Sequence, residues 1–205
     1  MLITRAFQFS PENQDDSNIE GIAAVYNQRV NIGGWFEEAI EPGAFDECDF
    51  RDVLLFVNHD ISKITLARSR RNNTNSTMQI SLVDIGVKMR ANLDVENNHE
   101  AKALISAVKR GDIDGMSFMF RVDEEKWENL DSELPLRRIT KIKKVFEVSA
   151  VNFPAYDETS ISARGSELDN LDLNALEKAK ADFNSKLDSF ALSKRKFVFK
   201  TQRGQ

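Results

Sequence analysis

Gly111–Asp112–Ile113–Asp114–Gly115–Met116–Ser117–Phe118–Met119–Phe120 runs from a glycine-punctuated turn into an aromatic strand, with a serine hydroxyl where the strand begins. Side chains alternate along a strand, so Met116, Phe118 and Phe120 point one way and Ser117, Met119 and Arg121 the other. The first set anchors a core and leaves Ser117 on the less apolar face. The same rule applied to Val145–Phe153 sets Phe146, Val148 and Ala150 on one face, with Glu147 and Ser149 opposite. If the two strands pair, their polar positions meet.

A hydroxyl is a weak nucleophile until an oriented imidazole takes its proton. The chain has 2 histidines. His59, in Phe56–Val57–Asn58–His59–Asp60, is the candidate base, whereas His99 opens a helix and reads as a solvated residue. Glu147 sits in an otherwise apolar strand, where a carboxylate must face solvent, pair or act, and it is the candidate that orients the base. Each residue also has a plain structural reading. Ser117 is then a turn residue, His59 a surface loop residue, and Glu147 an ion-pair partner of Arg121, Lys143 or Lys144. Residue type and spacing leave both readings open. Cys48 lies between Glu47 and Asp49, which raise a thiol pKa, so it is a poor nucleophile. No spacing of histidines and cysteines suits a metal, Gly33–Gly34 is too short for a phosphate loop, and no cofactor is expected.

Most of the chain as far as Asn152 reads as strands: Leu2–Phe9, Ile19–Tyr26, the apolar run Val53–Val57, and a hairpin of Met78–Val83 with Val87–Leu93 around Asp84–Ile85–Gly86. Pro11–Asn18 and Arg68–Thr77 read as polar loops. Asn98–Arg110 reads as a helix, because Ala101, Leu104, Ile105 and Val108 share a face, Asn98 suits the N-cap and Gly111 the left-handed stop. Strands Met116–Val122 and Arg138–Asn152 follow, the second long enough to require a bend or bulge. Asp123–Glu133, six acidic residues with one lysine, reads as a solvated loop between them. Pro154 closes the strand region. Beyond it, Ser166–Leu173 reads as a linker, Asn174–Leu192 as an amphipathic helix and Lys194–Gln205 as a basic end.

With 205 residues, the chain suffices for one sizeable core and an appendage. A net charge of −5 argues against a general nucleic-acid binder, and no stretch is apolar enough to span a bilayer. The single cysteine excludes an intramolecular disulfide and suits a reducing cytoplasm. The first residues lack the layout of a signal peptide.

Five ordered segments resemble the HK97-type tailed-phage prohead maturation proteases. They are Gly21–Ile22–Ala23–Ala24–Val25–Tyr26, Phe36–Glu37–Glu38–Ala39–Ile40–Glu41–Pro42–Gly43–Ala44–Phe45, Asn58–His59–Asp60, Gly111–Phe118, and Glu147–Val148–Ser149–Ala150–Val151–Asn152–Phe153–Pro154–Ala155–Tyr156. The resemblance covers residues 1–164. It implies an α+β fold, a mainly antiparallel β-barrel with flanking helices similar to the herpesvirus assembly proteases, joined to a helical tail over residues 165–205. It further implies a serine endopeptidase with Ser117 as nucleophile, His59 as base and Glu147 as third member. The implied partners are the major capsid protein or a scaffold protein, with the enzyme itself a further substrate, a homodimer allowed, and no nucleic acid or membrane. The implied location is the host cytoplasm, inside the assembling prohead. The tail would tether the enzyme to scaffold and be removed by self-cleavage. Met119 stands where the family commonly has glycine, narrowing the cleft, and Ile64–Thr65–Leu66–Ala67–Arg68 replaces a usual Leu–Gly–Arg. The contrasting reading is a non-catalytic capsid assembly or scaffolding protein on the same fold.

Overall fold

The computed structural model describes the backbone of residues 2–8, residues 17–152, and residues 172–187 and 189. The elements are β1 (Leu2–Gln8), β2 (Asn18–Val25), β3 (Val30–Ile32), β4 (Phe36–Ile40), β5 (Asp52–Val57), β6 (Ala67–Arg70), β7 (Met78–Val83), β8 (Gly86–Asn92), α1 (His99–Arg110), β9 (Gly115–Glu128) and β10 (Leu136–Val151). A second helix, α2, covers 172–187. The expected polar turn before residue 17, Pro154 as terminator, most of the linker and the basic end fall outside the described residues.

β10 organises the sheet. Its 16 residues pair antiparallel with β9 along one edge. On its other edge, Leu136–Ile139 run parallel to β4 and Glu147–Ala150 run parallel to β5. β1 flanks β9, β3 flanks β4 and β6 flanks β5, which completes a 7-stranded mixed sheet. β2, β8 and β7 form a separate 3-stranded antiparallel sheet. The described strands therefore make two sheets with parallel pairs inside the larger one. They do not make the closed, mainly antiparallel barrel expected above. Between β6 and β7 the ladder is replaced by side chains: Thr77 Oγ1 accepts from Arg68 N–H at 2.9 Å and Ser76 Oγ from Arg70 N–H at 2.9 Å. Hydroxyls here cap an edge that strand pairing would otherwise have to close.

α1 forms as its pattern requires. Asn98 Oδ1 accepts the N–H groups of Glu100 and Ala101, and Gly111 ends the helix at φ 75°. Ala101, Leu104, Ile105 and Val108 are all buried in the main core. On the hairpin side, Gly86 cannot carry a side chain. Its φ is 153°, and a Cβ would lie 1.8 Å from the Ala24 carbonyl oxygen, beside the register shift at Ile22/Ala24.

Two expectations about strands are corrected. The acidic run is a strand as far as Glu128, because β10 opposes it with cations: Arg138–Glu128 at 2.7 Å and Lys141–Asp123 at 3.9 Å. β6 occupies Ala67–Arg70, overlapping the start of the Arg68–Thr77 segment that reads as loop, with Ala67 and Ser69 buried and Arg70 exposed. β3 and β4 carry no clear signal of their own. They enclose a second small core of Val30, Ile32 and Phe36, and Leu176 of α2 packs into it. α2 thus begins two residues earlier than its pattern suggests, with Asp172 bonded to the buried Arg137 at 3.1 Å.

Candidate active site

Ser117 is the third residue of β9, between Ala6 of β1 and Ser149 of β10, so it lies within the sheet as well as after a turn. Met116, Phe118 and Phe120 fill the core beneath it, each at most 1% exposed. The opposite face carries Ser117, with Met119 half-buried across from Glu147.

β10 reaches the same face through a bulge. Phe120 pairs with Val145 and Met119 with Glu147, which leaves Phe146 as the extra residue. Val145, Val148 and Ala150 therefore turn inward together, and Glu147 and Ser149 turn toward Ser117. Phe146 does not join the core face that simple alternation assigns it. Its ring is instead covered by Arg121 at 5.4 Å and Lys144 at 5.0 Å. Two of the three cations that could have paired with Glu147 are thereby spent elsewhere, and the third, Lys143, lies near Asp123 at 3.9 Å.

β5 delivers His59. Beyond Val57 the chain takes two successive left-handed residues, Asn58 at φ 51° and His59 at φ 58°. Such a conformation is unusual for histidine and persists only where the surroundings hold it. Asn58 N–H donates to Ala150 O at 2.9 Å, Asn58 Oδ1 accepts from Asn152 N–H at 3.1 Å, and His59 N–H donates to Ser149 Oγ at 3.2 Å. The imidazole is thereby turned over β10.

The three candidate residues meet. His59 Nδ1 is 2.6 Å from Glu147 Oε1, and Nε2 is 2.8 Å from Ser117 Oγ. A carboxylate only accepts, so Nδ1 carries the proton and Nε2 is left to accept from the Ser117 hydroxyl. Ser149 Oγ–H donates to Glu147 Oε2 at 2.6 Å. Ser117, Glu147 and Ser149 are buried, whereas the His59 side chain is 21% exposed, so the imidazole edge is where a substrate can arrive. Chemically, the arrangement can move a proton from a serine hydroxyl to an imidazole whose charge a buried carboxylate balances.

The other sequence candidates stay apart from this group. His99 opens α1 and is exposed. Burial pushes the Cys48 thiol up to about 12, with Asp49 adding to the effect and a backbone hydrogen bond from Val145 opposing it. The direction is as expected from its acidic neighbours, but burial leads. Glu47 pairs instead with Lys141 at 2.7 Å. Among the described residues no group of carboxylates, histidines and cysteines could hold a metal ion, and no helix is long and apolar enough to cross a membrane.

Sequence reasoning missed the work of Asn58 and Ser149. An Asn before a histidine at a strand end is a signal for a left-handed turn. A serine two residues from the candidate carboxylate shares its face. Those were the available clues.

Comparison with known proteins adds a family. A family model described as caudovirus prohead serine protease matches residues 5–174. Among solved structures the chain is similar to the bacteriophage T4 capsid assembly protease gp21, with 16% identity and a TM-score of 0.44 over 75% of this chain and 98% of that one. No curated protein matches it.

Proposed function

The chain belongs to the caudovirus prohead serine protease family, and from that premise we propose that it cuts polypeptides by an acyl-enzyme route through Ser117, His59 and Glu147. The observation that carries this reading is an unbroken hydrogen-bond chain. Ser149 to Glu147, Glu147 to His59 and His59 to Ser117 span 2.6, 2.6 and 2.8 Å.

Ser117 Oγ attacks the substrate carbonyl as His59 Nε2 takes its proton, then the imidazolium returns that proton to the leaving amine. Water repeats the sequence on the Ser117 ester, with His59 again as base, and releases the second product. Glu147 holds the imidazole in the tautomer with Nδ1–H and balances its charge. Ser149 is a positioning residue. Its hydroxyl fixes the far carboxylate oxygen and also accepts the His59 backbone N–H, so one group aligns two catalytic side chains.

A fluorophosphonate probe tests the reading. Wild-type chain is expected to gain one phosphonyl group, on Ser117, and His59→Ala to lose nearly all of that reactivity. Equal labelling of His59→Ala, or labelling at another residue, contradicts it. Ser149→Ala is expected to lower kcat roughly 10- to 100-fold, the size of effect misplacement of a catalytic group produces, with KM within about two-fold of wild type. A wild-type kcat in that variant removes Ser149 from the account.

The substrates in this reading are the scaffold or the scaffolding segment of the major capsid protein, together with the enzyme itself, inside the assembling prohead in the host. Kinship with the herpesvirus assembly proteases and a homodimer belong to the same proposal. So does the division into a protease domain, residues 1–164, and a scaffold-tethering tail, residues 165–205. The packing of Leu176 and Asp172 of α2 against the β3–β4 end supports a tail anchored at its start.

A further inference from the structure

Where the end of β5 meets α1, lined by the residues before and after His59 in the chain, lies a cavity of about 380 Å³. Ligand clefts begin at about this size. Its apolar wall is built by Phe56, Val57, Leu66, Leu104, Ala107 and Ile113. Val53 and Leu55 point into the main core, so alternation turns Phe56 to the opposite face. The parallel register sets Phe56 beside Ser149, and Leu54 beside Glu147. Phe56 therefore continues the catalytic face into the cavity.

Ser117, His59 and Glu147 do not themselves line the cavity, but residues next to them in the chain do. Asn58 and Asp60 line the cavity on either side of His59 in the chain, and Ile113 lies on the segment that enters β9 just before Ser117. At the mouth, Lys63 of the loop after His59 pairs with Glu100 of α1 at 2.7 Å. Both side chains are about half exposed, and such a surface pair is weak enough to part. The same loop leaves Ile61 69% and Ile64 81% exposed. Large aliphatic side chains held in water next to an apolar cavity mark a surface that something apolar covers.

We propose that this cavity is the specificity subsite of the protease, taking an aliphatic side chain of the substrate polypeptide next to the scissile bond. The proposal rests on the catalytic reading of Ser117 and His59. Ile64 and the methylene stem of Lys63 close over the bound side chain, and the polypeptide around it runs across the His59 edge toward Ser117. A small, polar or acidic side chain gains nothing from the apolar wall. Replacing the aliphatic residue by alanine in a substrate removes more than one methylene from the pocket, and each is worth roughly 10- to 200-fold in kcat/KM.

The test uses the full chain with a synthetic random-decamer peptide mixture, reading cleavage products by mass spectrometry, and with a small fluorophosphonate that does not reach the cavity. Wild type is expected to enrich Leu, Ile or Met at one position near the cut by ten-fold or more. Ala107→Phe fills the cavity from α1, and Ala103→Phe blocks its exposed rim without burying new bulk. Either is expected to reduce that enrichment to below about three-fold while Ser117 still labels at the wild-type rate. If labelling is intact and the aliphatic preference survives in both variants, or wild type shows no such preference or cuts no peptide, the subsite is overturned. If wild-type Ser117 fails to label at all, the catalytic reading itself falls.

Discussion

Ser117→Ala is expected to lower peptide cleavage roughly 10⁴- to 10⁶-fold and to leave the protein folded. The magnitude follows from what the hydroxyl does. In the proposed route it is the atom that becomes acylated. Ser149 does not substitute for it, being engaged at 2.6 Å by Glu147, and the Cys48 thiol, apart from this group, is held up to about 12 by burial. Its structural cost is small by comparison. The change removes one hydrogen bond, to an imidazole whose side chain is 21% exposed and can turn to water, which amounts to about 1 kcal/mol. Activity and stability therefore separate. His59→Ala should behave alike in activity. A non-catalytic assembly protein on the same fold would tolerate both changes with normal capsid maturation.

The second large effect concerns stability. Arg137→Met is expected to destabilise the fold by about 3–5 kcal/mol, the usual consequence of removing one partner from a buried charge group. In a chain of this size that lowers the unfolding midpoint by roughly 6–20 °C. Arg137 is fully buried and lies in β10 opposite Trp127, over whose ring its guanidinium sits at 5.8 Å. It bonds Glu125, Glu38 at 3.1 Å and Asp172 at 3.1 Å, so three separate elements meet on one cation. Glu38 and Asp172 are themselves buried, and the substitution deprives both of the guanidinium they share. Adding Glu38→Gln and Asp172→Asn to Arg137→Met should recover part of the loss, because the desolvated charge goes with them. Thermal unfolding followed by circular dichroism reads all of this. A midpoint within 2 °C of wild type for Arg137→Met would contradict the account. Cleavage by the folded fraction should persist, since Ser117 and Glu147 lie at the other end of the β9–β10 pair.

What could be read from the sequence divides along the range of the interactions. α1 was legible to within a residue because its signals are local: an Asn cap, a Gly stop and four apolar residues at helical spacing. The hairpin of β7 and β8 was legible for the same reason. Alternation correctly set Ser117 against Phe118 and Glu147 against Val148, and the structure brings Ser117, His59 and Glu147 within hydrogen-bond reach. The bulge at Phe146 was not legible, because a period of two assumes an unbroken ladder, and only the partner strand reveals the extra residue. The parallel pairing of β10 with β4 and β5 joins residues about a hundred positions apart, which no local pattern encodes. The acidic stretch after Arg121 looked like solvent-facing loop because its compensating cations lie on β10, across the turn. Arg137 was hidden likewise: one of two adjacent arginines between Leu136 and Ile139 gives no sign of which will be fully buried.

The most direct test is the intact mass of this chain and of the major capsid protein proposed as its substrate, measured after co-expression for wild type and for Ser117→Ala, with assembled proheads verified in both samples. The account predicts truncation of one or both proteins in the wild-type sample and full-length masses with Ser117→Ala. Identical truncation in both samples, or full-length masses in both, would contradict it.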